Sequence, residues 1–185
     1  MPRAFIAIDI SEAVRQKLVA AQQGLAAAGA QLRLVEPENV HVTVKFLGDI
    51  PEDKVAEVAD AIRAAVKGAQ QFDIAVRGIG VFPGFKYIRV VWAGVSDGRE
   101  NVVAVQRNID CELQKLGFPL ERDFVPHLTL ARVKSAAARE KLVAFVEENM
   151  GTEFGVTRAE AVELRQSTLT PKGPIYSTLA CIELA

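Results

Sequence analysis

The stretches Val40–Leu47 (VHVTVKFL) and Pro126–Val133 (PHLTLARV) determine the fold and the site that this sequence predicts. Each contains one of the chain's two histidines, followed by an apolar residue, a threonine and a second apolar residue. Alternation of apolar and polar residues is typical of a half-buried β-strand, in which residues i and i+2 share a face. Each motif is therefore expected to place its histidine and its threonine on the same side of a strand.

The two motifs, His41 with Thr43 and His127 with Thr129, form a weak internal repeat. Each is followed at similar distance by a segment with helical spacing of apolar residues. Two such strand–helix units predict two similar lobes related by an approximate two-fold axis. If the strands lie side by side across that axis, two imidazoles and two hydroxyls converge on one small volume.

This pair of side-chain types suits the cleavage of a phosphodiester. An imidazole titrates near neutrality and can take or give a proton, while a hydroxyl can hold a phosphate oxygen. A neutral imidazole can accept a proton from an attacking water, and a protonated one can donate to a departing ribose oxygen. The sequence alone does not decide which histidine takes which role.

Two other interpretations of the histidines stay open. A single histidine on a strand is commonly a hydrogen-bonded structural residue, although two in matched contexts favour function. A metal site is the second alternative, but zinc takes three or four ligands, and no His-x-x-x-His or Cys-x-x-Cys spacing occurs. We therefore expect no metal.

The remaining pattern alternates strands and helices along one domain of residues 1–185. Helices are predicted from Ser11 towards Gly29, from Pro51, over 101–116, and from Ser135 to about Glu148. The predicted strands cover 5–10, 32–35, 40–47, 72–82, 87–95, 126–133, 154–167 and 175–184. No linker or low-complexity run divides the chain.

The overall charge and the N-terminus restrict the partners and the location. A net charge of −1 gives no field that would attract long nucleic acid, so RNA would be held by an end or a few nucleotides. The N-terminal apolar stretch is short and interrupted by Asp9, unlike a signal peptide or membrane span. A cytoplasmic location follows, and Cys111 and Cys181 are expected to be reduced, buried thiols.

The sequence resembles the two-histidine (2H) phosphoesterase superfamily, and within it the RNA 2',3'-cyclic phosphodiesterases once described as 2'-5' RNA ligases. The resemblance extends over nearly the whole chain. The matching segments are 3–8 (RAFIAI), 39–48 (NVHVTVKFLG), 81–83 (VFP), 89–94 (RVVWAG), 126–132 (PHLTLAR) and 173–176 (GPIY).

The resemblance implies an α+β fold with two lobes, each an antiparallel sheet with helices outside, and a central cleft. It implies hydrolysis of a terminal 2',3'-cyclic phosphate to a 2'-phosphate, without a metal or a cofactor. RNA ends or small cyclic nucleotides are the expected substrates, and the protein is expected to be a monomer. By analogy His41 is the general acid and His127 the general base. Thr43 and Thr129 are then the ligands of the phosphate oxygens.

Two further residues are substrate-binding candidates through the resemblance. Arg132 follows the second histidine by five residues, and this odd offset requires a bulge or strand end if Arg132 is to reach the same face as His127. It is otherwise an ordinary surface arginine. Phe5 is a candidate for stacking on a base, with a place in the core as the alternative.

Two competing functions remain at this point. One is a related enzyme that shortens an RNA 3' end by transesterification, and the length of the product distinguishes it. The other is a nucleotide-binding module of the same fold that turns nothing over. A pure binding module has no need of a matched acid and base, so the two histidines argue against it.

Overall fold

The computed structural model describes residues 1–185 and contains nine β-strands and four α-helices. The strands are β1 (Arg3–Ile8), β2 (Leu32–Leu34), β3 (Val42–Asp49), β4 (Phe72–Gly84), β5 (Tyr87–Val95), β6 (His127–Val133), β7 (Glu153–Ala159), β8 (Ala161–Thr170) and β9 (Gly173–Glu183). The helices are α1 (Glu12–Ala27), α2 (Val55–Ala65), α3 (Arg99–Gln114) and α4 (Arg139–Glu148).

The strands form two antiparallel sheets. The first has the order β3-β1-β8-β9 and the second the order β2-β6-β5-β4-β7. Helices α2 and α3 pack against each other and contact the first sheet, whereas α1 and α4 contact the second. The predicted α+β fold with two antiparallel sheets and outer helices is confirmed, and the first motif lies in one sheet and the second motif in the other.

Local sequence signals explain how helix α1 is placed. The Ser11 hydroxyl accepts a hydrogen bond from the Val14 backbone N–H at 3.4 Å and so caps the first turn. Val14, Leu18 and Leu25 recur at helical spacing and are completely buried. This apolar stripe packs against β6 and β7 and continues the hydrophobic core between the sheets.

The structure corrects three local expectations. The predicted strand 154–167 is two strands, because the chain leaves the second sheet after β7 and enters the first at β8, with Glu160 between them. Ser135 does not cap α4; its hydroxyl accepts from Ala137 N–H, and the helix begins after Ala138. Both cysteines are free, as expected, but exposed rather than buried.

No helix of this chain is long and apolar enough to cross a membrane. The organisation of residues 1–185 as one bilobal domain remains a prediction.

Candidate active site

The two histidine motifs have the same backbone irregularity at the same position. Opposite β1, Ala7 pairs with Thr43 and Ile6 pairs with Lys45, so that Val44 is an extra residue on β3. Opposite β5, Trp92 pairs with Thr129 and Val91 pairs with Ala131, so that Leu130 is the extra residue on β6. Each motif therefore contains a β-bulge directly after its threonine.

The bulges decide which side chains face the cleft. Val44 and Lys45 are both buried, as are Leu130 and Ala131, because a bulge turns two consecutive residues to the same side. The residue that follows returns to the face of the threonine. In β3 this residue is Phe46, and in β6 it is Arg132.

The motif residues line two adjoining cavities. The larger, of about 390 Å³, is lined by His41, Thr43, Thr129 and Arg132 among others. The smaller, of about 290 Å³, is lined by His127 on the other side of the same wall. Thr43 and Phe46 line both cavities. The fold thus brings residues of both motifs to two adjoining cavities.

His41 is deeply enclosed by aromatic rings. Its side chain stacks on Phe5, with ring centroids 5.1 Å apart and planes inclined by 21°, and meets Tyr176 edge-on at 5.6 Å. Its Nε2 lies 2.7 Å from the Thr43 hydroxyl oxygen. Its Nδ1 is buried and has no hydrogen-bond partner of good geometry, although the nearby Asn39 backbone acts to raise the pKa of the ring.

The pKa of His41 is lowered from 6.5 to about 4, chiefly because the charged imidazolium loses its hydration on burial. The positive charge of Arg165 contributes to this lowering, and Asp9 opposes it. Arg165 is itself buried and bonded to Glu163 at 2.6 Å. In the free protein His41 is therefore neutral at pH 7.

His127 has a different environment. Its Nδ1 lies 2.7 Å from the Val125 carbonyl oxygen, and because a carbonyl only accepts, Nδ1–H donates this bond. In the neutral ring, Nε2 then carries the free lone pair. Phe82 meets the ring edge-on at 5.0 Å, and Trp92 lies 6.3 Å away.

Two glycines make the space for Trp92. A Cβ at Gly80 would overlap the indole ring, and a Cβ at Gly94 would lie 3.3 Å from it and 2.8 Å from the Arg77 carbonyl oxygen. Any side chain at either position would displace the indole or the adjacent strand. The two glycines therefore allow the indole of Trp92 to pack close to the strand, next to His127.

A buried ion pair connects the two motifs. Lys45 and Asp110 form a salt bridge with each side chain only 5 % exposed, and Lys45 also donates to the Pro119 carbonyl at 2.7 Å. Asp110 accepts a second bond from the Glu121 backbone N–H at 2.6 Å. Strand β3 is thus joined through α3 to the segment that precedes β6.

The other predicted site residues fall in two groups. Arg132 lines the larger cavity with Thr129, because the bulge supplies the change of face that its odd offset required. Phe5 is 3 % exposed and stacks against the His41 ring. It thus occupies a core position, which was the alternative that the sequence analysis gave for this residue. In this structure Phe5 offers no surface to a base.

The sequence interpretation missed other residues of the cleft. Phe46 is 70 % exposed and forms the wall between the cavities. Arg3 and Arg33 line the larger cavity. Lys172, Lys86 and Tyr87 belong to the basic and aromatic residues that the sequence offered as guides for an RNA end. Lys172 lines the larger cavity, whereas Lys86 and Tyr87 line a separate pocket. No cluster of three or more His, Cys, Asp or Glu side chains suited to a metal is present.

Comparison with known proteins agrees with this geometry. The family model described as LigT like Phosphoesterase matches residues 8–92 and 94–176. An RNA 2',3'-cyclic phosphodiesterase of Methanothermobacter thermautotrophicus is 44 % identical over 182 residues, covering 98 % of both chains. A protein of the same description from Methanocaldococcus jannaschii is 40 % identical, covering 96 % of this chain and 98 % of its own.

Solved structures show the same fold. A protein of Thermus thermophilus superposes with a TM-score of 0.83 at 28 % identity, covering 98 % of this chain and 97 % of its own. LigT of E. coli in complex with 3'-AMP superposes with a TM-score of 0.80 at 22 % identity, covering 100 % of this chain and 98 % of its own. The family expected from the two histidine motifs is confirmed: the chain belongs to the LigT-like phosphoesterases.

Proposed function

We propose that this protein is an RNA 2',3'-cyclic phosphodiesterase that opens a terminal cyclic phosphate to a 2'-phosphate with two histidines and no metal. The observation that carries the proposal is that both histidine–threonine pairs line two adjoining cavities, with Thr129 in the same cavity as His41 and Thr43. The names of the relatives that match over nearly the whole chain support the same reaction.

His127 suits the role of general base. Its Nδ1–H is held by the Val125 carbonyl, so that Nε2 keeps a lone pair for the proton of an attacking water. The carbonyl also stabilises the imidazolium that forms as the proton is taken. Water then attacks phosphorus while the bond between phosphorus and the 3' oxygen breaks.

His41 is assigned the role of general acid, which donates a proton to the departing 3' oxygen. This role requires a protonated ring, whereas burial and Arg165 keep His41 neutral in the free protein. A bound phosphate anion acts in the opposite direction and raises the pKa of His41 towards neutrality. Substrate binding therefore prepares the acid.

Thr43 and Thr129 supply hydroxyls to the phosphate oxygens from the two sides of the cleft, and Arg132 supplies a positive charge. Burial raises the pKa of Tyr176, which keeps its hydroxyl protonated as a further hydrogen-bond donor in the larger cavity. RNA ends and small cyclic nucleotides are the substrates proposed, without a cofactor, for a monomer.

The test is incubation with an oligonucleotide ending in 2',3'-cyclic phosphate in the presence of EDTA. Wild type is compared with His41→Ala, His127→Ala and the control Arg107→Gln, an exposed arginine of α3 outside both cavities. We expect an oligonucleotide of unchanged length with a 2'-phosphate. Each histidine variant should be slower by roughly 10²–10⁴-fold and the control unchanged.

Three results would contradict the proposal. No conversion by wild type would favour a binding module. Rates of the histidine variants equal to the wild-type rate would exclude the acid–base pair. A shortened oligonucleotide would indicate the exonuclease-type relative instead.

A further inference from the structure

The larger cavity carries more positive charge than one cyclic phosphate requires. Four cationic side chains and a single carboxylate, that of Glu36, line it, and the cations are Arg3, Arg33, Arg132 and Lys172. None of the four forms a salt bridge, although seven other lysines and arginines of the chain do. A 2',3'-cyclic phosphate is a diester with a single negative charge, so most of this charge has no partner in a mononucleotide.

Two of these cations face each other across a strand pair. Arg33 on β2 is the direct register partner of Arg132 on β6. Like charges at directly opposite positions of an antiparallel pair repel each other and destabilise the pair. An anion between the two guanidinium groups would remove this repulsion. A guanidinium group can bind a phosphate through two parallel N–H···O hydrogen bonds.

The third cation comes from another part of the chain. Lys172 lies in the turn between β8 and β9, and Arg33 reaches that turn, since its Nη2 lies 3.6 Å from the position of a Cβ on Gly173. Strand β2, strand β6 and the β8–β9 turn therefore contribute one cation each to the same end of the cavity.

The smaller cavity has the opposite character. Two carboxylates, Glu121 and Asp123, line it, and its one lysine, Lys45, is already paired with Asp110. A nucleotide that carries a 2',3'-cyclic phosphate is joined to the rest of an RNA only through its 5' oxygen. Electrostatic repulsion at the smaller cavity and attraction at the larger one therefore direct that continuation past Arg132 towards Arg33.

We propose that Arg33 and Lys172, next to Arg132, form a second anion subsite that binds the internucleotide phosphate preceding the terminal nucleotide. This inference rests on the proposed function and makes its substrate class narrower: an RNA end of at least two nucleotides is bound in preference to a cyclic mononucleotide. Arg3, on β1, adds a further positive charge to the same cavity.

The test is a binding measurement that needs no turnover. The two probes are an RNA trinucleotide ending in a 2'-phosphate and a nucleoside 2'-monophosphate, titrated calorimetrically at several salt concentrations. Wild type should bind the trinucleotide more tightly, and Arg33→Gln should weaken that binding about tenfold while changing the mononucleotide affinity less than about twofold. The slope of log K against log salt for the trinucleotide should fall by about 0.7 in this variant.

Lys172→Gln should act in the same direction, and Arg107→Gln should change neither affinity. Equal affinities of wild type for the two probes would overturn the inference, as would an equal effect of Arg33→Gln on both. Failure of the proposed function has a different signature, because the hydrolysis assay would then show no opening of the cyclic phosphate while the difference in binding persists.

Discussion

Strands β3 and β6 each have a bulge directly after the threonine of their motif, but the two positions that follow the bulge differ in character. In β3 they are the buried Lys45 and the exposed Phe46, whereas in β6 they are the buried Ala131 and the exposed Arg132. The first strand thus directs its charge into the core and an aromatic ring into the cleft. The second directs its charge into the cleft.

The two histidines also differ in their surroundings. His41 is 8 % exposed, packed between rings and neutral, while His127 is half-buried and has a fixed hydrogen bond to a backbone carbonyl. The comparison teaches that a repeated backbone can carry two chemically distinct halves, because each side chain responds to its own neighbours. Four experiments test this difference, beginning with the largest expected effect.

Replacing Lys45 with Met should destabilise the protein by about 3–5 kcal/mol, because Asp110 is left as a buried charge without a partner. The double variant Lys45→Met/Asp110→Leu should recover most of this loss. Urea unfolding at pH 7 measures both. A loss below about 1 kcal/mol for the single variant would show that β3 does not depend on its buried charge.

Acid should destabilise the wild type more than His41→Gln. Between pH 6.5 and about pH 4, His41 is protonated in the unfolded chain but neutral in the folded protein. The contribution of neutral His41 to the free energy of unfolding is therefore present above pH 6.5 and is lost as pH falls towards 4. The difference amounts to about 3 kcal/mol. Unfolding curves at pH 7, 5 and 4 measure it, and parallel pH dependences of the two proteins would contradict it.

The two threonines should not be equivalent. Thr43→Val removes both a phosphate ligand and the 2.7 Å partner of His41 Nε2, and should lower kcat/KM by roughly 10–100-fold. Thr129→Val removes only a phosphate ligand and should cost about tenfold or less. Thr→Ser at each position keeps the hydroxyl and is the matched control. Equal losses would show that the contact with His41 has no part in the reaction.

The smallest effect is expected at Phe46. An exposed ring at the wall between the cavities can stack on a base from one side, so Phe46→Ala should weaken nucleotide binding by about 1 kcal/mol, the lower end for such stacking. Phe46→Tyr keeps the ring and should bind as wild type. An affinity unchanged in the alanine variant would leave the wall without a role in binding.

The sequence predicted the histidine and threonine placement because a period of two depends on the local chain alone. It also stated the condition for Arg132, a bulge, which the structure contains at Leu130. Phe5 was a candidate through the resemblance alone. Phe46 was not found, because strict alternation puts it on the face of Val42 and Val44, and no glycine or proline marks the bulge that turns it to the face of Thr43.

Long-range pairing explains the other differences. Arg33 reaches the cavity only because β2 pairs with β6, and Arg3 only because β1 lies next to β3 and β8. The passage between sheets at Glu160 is flanked by two alanines, so no turn signal separated β7 from β8. These features depend on which strands meet, and a pattern within one segment carries no information about that.

The glycine-lined position of Trp92 has an optical consequence. The chain has a single tryptophan, and it lies 6.3 Å from His127, whereas the aromatic neighbours of His41 are phenylalanine and tyrosine. Tryptophan fluorescence responds to the groups that surround the indole ring. Intrinsic tryptophan emission therefore reports on the half of the site around His127 alone, without any added label.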